Sequence, residues 1–187
     1  HAIGQAFWLV RQGTLDVALA GGSEAPLSFA NLKAWESMRV VSNDTCRPFS
    51  KDRSGMILGE GGAMFVLENL DRAKSRDAKI YAEIVGFGMS ADAHHLTMPL
   101  TEGAARAMRS AMKDGNLELE QVGYINAHGT ATQANDAMES AAIRSVFGKQ
   151  ANKILVSSTK SMHGHTLGAA GAIEAAATVL GMHNGKL

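Results

Sequence analysis

The chain of 187 residues has a single cysteine, Cys46, so no internal disulfide can form and cysteine usage gives no support for secretion. A reducing cytoplasm is the expected compartment. Charge is balanced as well: 18 basic and 18 acidic residues give a formal net charge of +0. With no cluster of one sign to offset that balance, electrostatic binding of nucleic acid is not expected. No apolar run reaches the roughly 18 residues a membrane-spanning helix needs, so membrane insertion is not expected either. Neither a signal peptide nor a low-complexity linker is visible. The chain opens on His1 and closes on Leu187 directly after a helical run, which reads as a fragment of a longer protein.

What remains is a globular composition, 45% hydrophobic and 19% charged, long enough to bury a real core. Apolar residues recur at helical spacing over 2–12, and Gly13 follows as a stop signal. "LDVALAGGSEAP" reads as a strand over 15–20 entering a glycine turn; apolar on both faces, it is expected to be a covered parallel strand. A helix over 28–38, a strand turning into a helix within "AMFVLENLDRAKSR", and a strand in "KIYAEIVGFGMSAD" follow. The helix over 101–114 has Ala107, Met108, Ala111 and Met112 on its apolar face. Strand 121–126, helix 135–147, strand 153–157 and helix 166–182 complete an alternation that implies a parallel α/β sheet.

Two loops at the ends of such strands carry the chemistry. In "YINAHGTATQANDAMES", His128 stands just past a strand, at the edge where open α/β sheets place their ligand sites. Thr130 and Thr132 offer two hydroxyls beside it, and Asp136 and Glu139 share one helix face at i,i+3. In "STKSMHGHTLGAAGAIEAAA", Lys160, His163 and His165 precede a helix of small residues that neighbours can approach closely. Thr166 is its expected N-cap. His165 then lies near helix amide donors, which disfavour an imidazolium.

Together, "NAHGTAT" with Asp136 and Glu139, and "STKSMHGHTLGAAG", resemble the two histidine motifs of the elongating β-ketoacyl-acyl carrier protein synthases. "CRPFSKDRSGMILGEGG" and "KIYAEIVGFGMSADAHH" are similar to the segments that precede them in that family. The resemblance implies an α/β thiolase-like fold, a layered αβαβα body usually found as a homodimer. Residues 1–80 would be the tail of its N-terminal half and 81–187 most of its C-terminal half.

It implies decarboxylative condensation of an acyl thioester with malonyl-acyl carrier protein, with substrates on phosphopantetheine and no tightly bound cofactor. His128, His165 and Lys160 would be catalytic, Glu139 would pair with Lys160, and Asp136 would support the site. Thr130 and Thr132 would hold the pantetheine arm. The family's nucleophilic cysteine is expected a few residues before His1, so the fragment alone is expected to be inactive; Cys46 reads as a packed side chain. His163 departs from the small or apolar residue more usual at its position. His95 matches a histidine common in the family, and His94 does not.

Three other readings compete. A chain-length-factor partner subunit would keep the fold and lack the nucleophile. A metal hydrolase could draw on His163, His165, His128 and Asp136, although HxH in a glycine loop is a weak ligand signature. A serine hydrolase could use Ser23 in "LAGGSEA", but that motif ends in alanine where the nucleophile elbow needs glycine.

Overall fold

A computed structural model describes residues 1–95 and 97–186. In chain order the elements are α1 (Ala2–Arg11), β1 (Val17–Glu24), α2 (Phe29–Ser37), β2 (Gly61–Glu68), α3 (Leu70–Ser75) and α4 (Thr101–Asp114). They continue with β3 (Tyr124–Asn126), α5 (Gln133–Phe147), β4 (Leu155–Ser157), α6 (Lys160–His163) and α7 (Ala170–His183). Short 3₁₀ turns stand at Leu119–Gln121, Gly148–Asn152 and Leu167–Ala169.

The alternation of strand and helix holds, but the sheets are two. β3 and β4 pair in parallel, Tyr124 opposite Leu155 and Asn126 opposite Ser157. β1 pairs with β2 in antiparallel register from Val17–Glu68 to Glu24–Gly61, which corrects the expectation of a parallel, doubly covered strand. Leu19 is 73% exposed, and Met64 and Val66 on β2 are 66% and 64% exposed; no element among the described residues covers that apolar face. Nor does the strand stop at its glycines. A Cβ on Gly22 would lie 2.8 Å from the carbonyl oxygen of Gly168, so glycine lets the turn before α7 pack directly onto β1. The segment 79–92 expected as a strand is assigned no strand. It runs beside α4 instead, where the Phe87 N–H donates to Asp114 Oδ2 at 2.9 Å.

α7 touches both sheets, through β1 and β2 on one hand and β3 on the other. Its small side chains allow this: Ala170 and Ala172 are buried against the strands. The separate core behind the parallel pair is formed by Ile143, Phe147 and Ile154, with Met108, Met112, Leu119, Val122 and Ile125 packed on it. Met108 and Met112 are the i,i+4 pair expected on the apolar face of α4. This packing seats α5 and fixes where its first turn, and hence the His128 loop, lies.

Phe147 is 4% exposed at the centre of that cluster. Phe147→Ala should lower unfolding free energy by roughly 3–5 kcal/mol, read as a fall in the urea midpoint at unchanged slope.

Candidate active site

Strands β3 and β4 end side by side, so the loops leaving them meet. The Ala127 N–H still donates to the Ser157 carbonyl at 2.8 Å, and one residue later the chain leaves the sheet with His128. The second loop is anchored to a third segment. The His165 N–H donates to the Ile57 carbonyl at 2.6 Å and the Gly59 N–H to the His165 carbonyl at 3.1 Å. This places the rings of His128 and His165 with centroids 5.3 Å apart and planes at 84°.

Lys160 joins the two loops from below. It is 0% exposed, and its Nζ donates to the His128 carbonyl at 2.7 Å and lies 3.3 Å from His128 Nδ1. Its ion-pair partner is Glu174 of α7. This corrects the expected Lys160–Glu139 pair. The reason is geometric: Glu139 is already spent on main chain, accepting from the His128 N–H at 2.7 Å and the Gly129 N–H at 2.8 Å. Sequence reasoning missed Glu174, although a single acid inside "GAAGAIEAAA" is a signal, because a charge on an otherwise apolar helix needs a partner.

Both imidazoles are held in one tautomer. The Leu167 N–H donates to His165 Nδ1 at 3.2 Å, leaving the proton of the neutral ring on Nε2. An ammonium facing His128 Nδ1 imposes the same choice there. The His165 pKa is lowered to about 4, by burial first and then by the positive field of Lys160. The His128 pKa is also lowered to about 4, with burial and then Lys160 as causes. His128 is nevertheless an exposed residue, so water offsets part of its shift while the direction stands. At neutral pH the site therefore presents two neighbouring uncharged imidazoles. Burial pushes the Glu174 carboxyl up, and Lys160 pulls it back.

The first loop is held in shape by Asp136, which is 1% exposed. Its Oδ2 accepts from the Phe49 N–H at 2.7 Å and its Oδ1 from the Ala131 N–H at 3.2 Å. Phe49 and Ala131 both have left-handed backbones, at φ 63 and φ 62. Such strain costs about 1–3 kcal/mol each, and charge-assisted bonds to one carboxylate offset it. Gly129, at φ 38, lies where a Cβ would come within 2.4 Å of Ser158 Cβ. Asp136 also accepts from Asn135 Nδ2 at 3.2 Å and pairs with Arg53 at 3.6 Å, so its carboxylate is spent on this loop and not on the histidines. Among the described residues no group of three or more His, Cys, Asp or Glu is placed to hold a metal.

Thr130 and Thr132 share a hydrogen bond at 2.8 Å between their hydroxyls, and Thr132 accepts from the Asn135 N–H at 3.4 Å as the N-cap of α5. Thr166 precedes the 3₁₀ turn before α7 but makes no side-chain cap bond, and its buried hydroxyl has no partner among the described residues. His163 lies under the site, bonded to Thr159 at 3.0 Å. His95 turns to its own loop, accepting from the N–H groups of Thr97 and Met98 at 3.1 and 3.2 Å. Cys46 is buried with its Sγ 3.9 Å from the Thr130 carbonyl oxygen, and burial raises its thiol pKa, which leaves an unreactive thiol. Ser23 sits inside β1 opposite Gly62, not on a strand-to-helix elbow.

Residues 1–73 match the β-ketoacyl synthase N-terminal domain and residues 81–187 the β-ketoacyl synthase C-terminal domain. The chain belongs to the β-ketoacyl synthase family. It is similar to Nodulation protein E of Rhizobium sp. (strain N33), 55% identical over 185 residues, which cover 99% of this chain and 46% of that protein. It is 47% identical over 195 residues to 3-oxoacyl-(acyl-carrier-protein) synthase 2 of Synechocystis sp., covering 100% of this chain and 47% of that protein. Among solved structures, a chain of AntDE:AntF, a type II PKS acyl-carrier protein in complex with its ketosynthase bound to the hexaketide, matches with a TM-score of 0.93. That match is 40% identical and covers 97% of this chain and 47% of the other. The chain therefore has the thiolase-like ketosynthase fold over the portion it spans, about half the length of its curated relatives.

The lowered histidine pKa values carry a sign. An unfolded histidine binds a proton near pH 6.5, whereas these rings resist it down to about pH 4. Between those values the unfolded chain binds more protons, so their contribution to stability is present above pH 6.5 and is lost as pH falls towards 4. Imidazole C–H shifts of both rings, followed by NMR from pH 8 to 5.5, should stay nearly flat; midpoints near 6.5 would contradict the assignment.

Proposed function

We propose that the complete protein to which this chain belongs condenses an acyl thioester with malonyl-acyl carrier protein, releasing carbon dioxide and lengthening the chain by two carbons. The observation that carries this is the pairing of the His128 and His165 rings, centroids 5.3 Å apart, with the Lys160 ammonium against His128. A cysteine outside this chain attacks the carrier-bound acyl thioester, its C–S bond breaks, the carrier's pantetheine thiol leaves, and an acyl-cysteine thioester remains. Malonyl thioester then loses carbon dioxide, and the electrons of the broken C–C bond form an enolate whose oxygen His128 and His165 hold by hydrogen bonds. The enolate carbon attacks the acyl-cysteine carbonyl, a C–C bond forms, and the cysteine leaves as thiolate. Lys160 keeps His128 neutral and oriented. Glu139 and Asp136 support the loop.

Acyl carrier protein is the partner in this reading, with Thr130 and Thr132 bonding its phosphopantetheine arm, no other cofactor, and no nucleic acid or membrane partner. We further read 1–80 and 81–187 as parts of the two synthase halves, and the full protein as a cytoplasmic homodimer. No described helix is long and apolar enough to cross a membrane. A chain-length-factor subunit would have the same fold and fail to condense, so the assay below separates the two readings.

In the complete protein, His128→Ala and His165→Ala should each slow condensation about a hundredfold to a thousandfold by removing one oxyanion donor. Near-normal turnover in either variant would remove that histidine from the mechanism.

The arm is tested at Thr130, because Thr132 also caps α5 and its loss would cost stability. Thr130→Val should lower kcat/KM for carrier-bound malonate by about 2–13-fold. Alkylation of the nucleophilic cysteine should be unaffected; if it slows equally, Thr130 shapes the pocket and does not bind the arm.

A further inference from the structure

His163 stands on α6 between the two residues that the reading above makes catalytic, yet that reading gives it no task. Its surroundings do. His163 Nε2 lies 3.0 Å from Thr159 Oγ1, and the same hydroxyl receives an N–H from Asn126 Nδ2 at 3.3 Å. Asn126 Nδ2 has no lone pair to offer, and a neutral His163 with Nε2 unprotonated is placed to accept the Thr159 proton. His163 Nδ1 is buried without a partner among the described residues.

Asn126 carries the connection onward. Its Nδ2 also reaches the Glu174 carbonyl at 3.2 Å and Thr178 Oγ1 at 3.0 Å. One row of hydrogen bonds thus ties α6 to the end of β3 and to the turn of α7 that presents Glu174 to Lys160. A small apolar residue at 163 would leave the Thr159 hydroxyl without an acceptor and the row without its end. We propose that His163 is a positioning residue, which through Thr159 and Asn126 fixes the backbone of Glu174 and so holds Lys160 against His128. It touches no reacting atom.

The inference rests on the condensing activity proposed above, and steady-state kinetics of the complete protein test it. His163→Ala should lower kcat by about 2–13-fold, the equivalent of one neutral hydrogen bond, with KM for the malonyl carrier unchanged. His163→Gln, whose amide oxygen can accept from Thr159, should recover most of that loss. Thr159→Val breaks the same row by one atom and should match His163→Ala. The double variant should be no slower than either single one, because the two act through one connection.

Wild-type kcat in both single variants would overturn the proposal, and so would additive losses or an effect confined to KM. Should His163→Ala fail to fold, Thr159→Val alone decides between these outcomes. A wild-type protein that does not condense at all counts against the proposed function, whereas an active one with indifferent variants counts against His163 alone.

Discussion

The arrangement depends on one buried ammonium. Lys160 is sealed from water, and a charge there is tolerable only because a carbonyl, a ring nitrogen and a carboxylate surround it. Removing one member of such a pair typically costs about 3–5 kcal/mol, so the two loops and α7 are bound to a common geometry. The same charge sets the chemistry. It faces His128 Nδ1 directly and contributes to lowering both histidine pKa values, which makes the rings donors instead of cations.

Carboxylates do the remaining work of shaping, by accepting main-chain N–H groups where strand ladders have run out. Glu139 holds the backbone of His128 and Gly129. Asp136 holds the two left-handed residues Phe49 and Ala131, which lie far apart in sequence. Leu167, also left-handed at φ 43, offers its N–H to His165. Of the left-handed non-glycine residues, Phe49, Ala131 and Leu167 thus lie at the two histidine loops, each tied to a polar group that makes it tolerable. α7 carries the other half of the design, since only a helix of small residues could touch both sheets and still bring Glu174 to Lys160.

Much of this was legible from the chain alone. Alternating apolar periods placed the helices and most strands within a few residues, and the two histidine loops were recognisable from their motifs. His165 could be expected neutral from the helix that follows it, and a main-chain N–H from that turn does meet its ring. The strand over 15–20 was misread for a physical reason. Apolar residues on both faces of 15–20 suggested a covered parallel strand, yet β1 pairs antiparallel with β2 and leaves Leu19 open. Periodicity reports which side chains are apolar, and neither strand direction nor what covers a face is encoded in that period.

The sequence by itself determined the residue types the site could use: two histidines after two strands, a lysine, nearby acids, and small residues on the following helix. Tertiary structure alone decided who pairs with whom. Glu139, eleven residues from His128, is taken by the backbone of its own loop, so the lysine finds Glu174 on α7. Asp136 turns to the distant Phe49, and His163 to Thr159. The reason is physical: a charged or polar side chain in a dry site goes to the partner that packing brings within hydrogen-bond range, and contacts between β3, β4 and α7 set those distances only when the sheets and helices close.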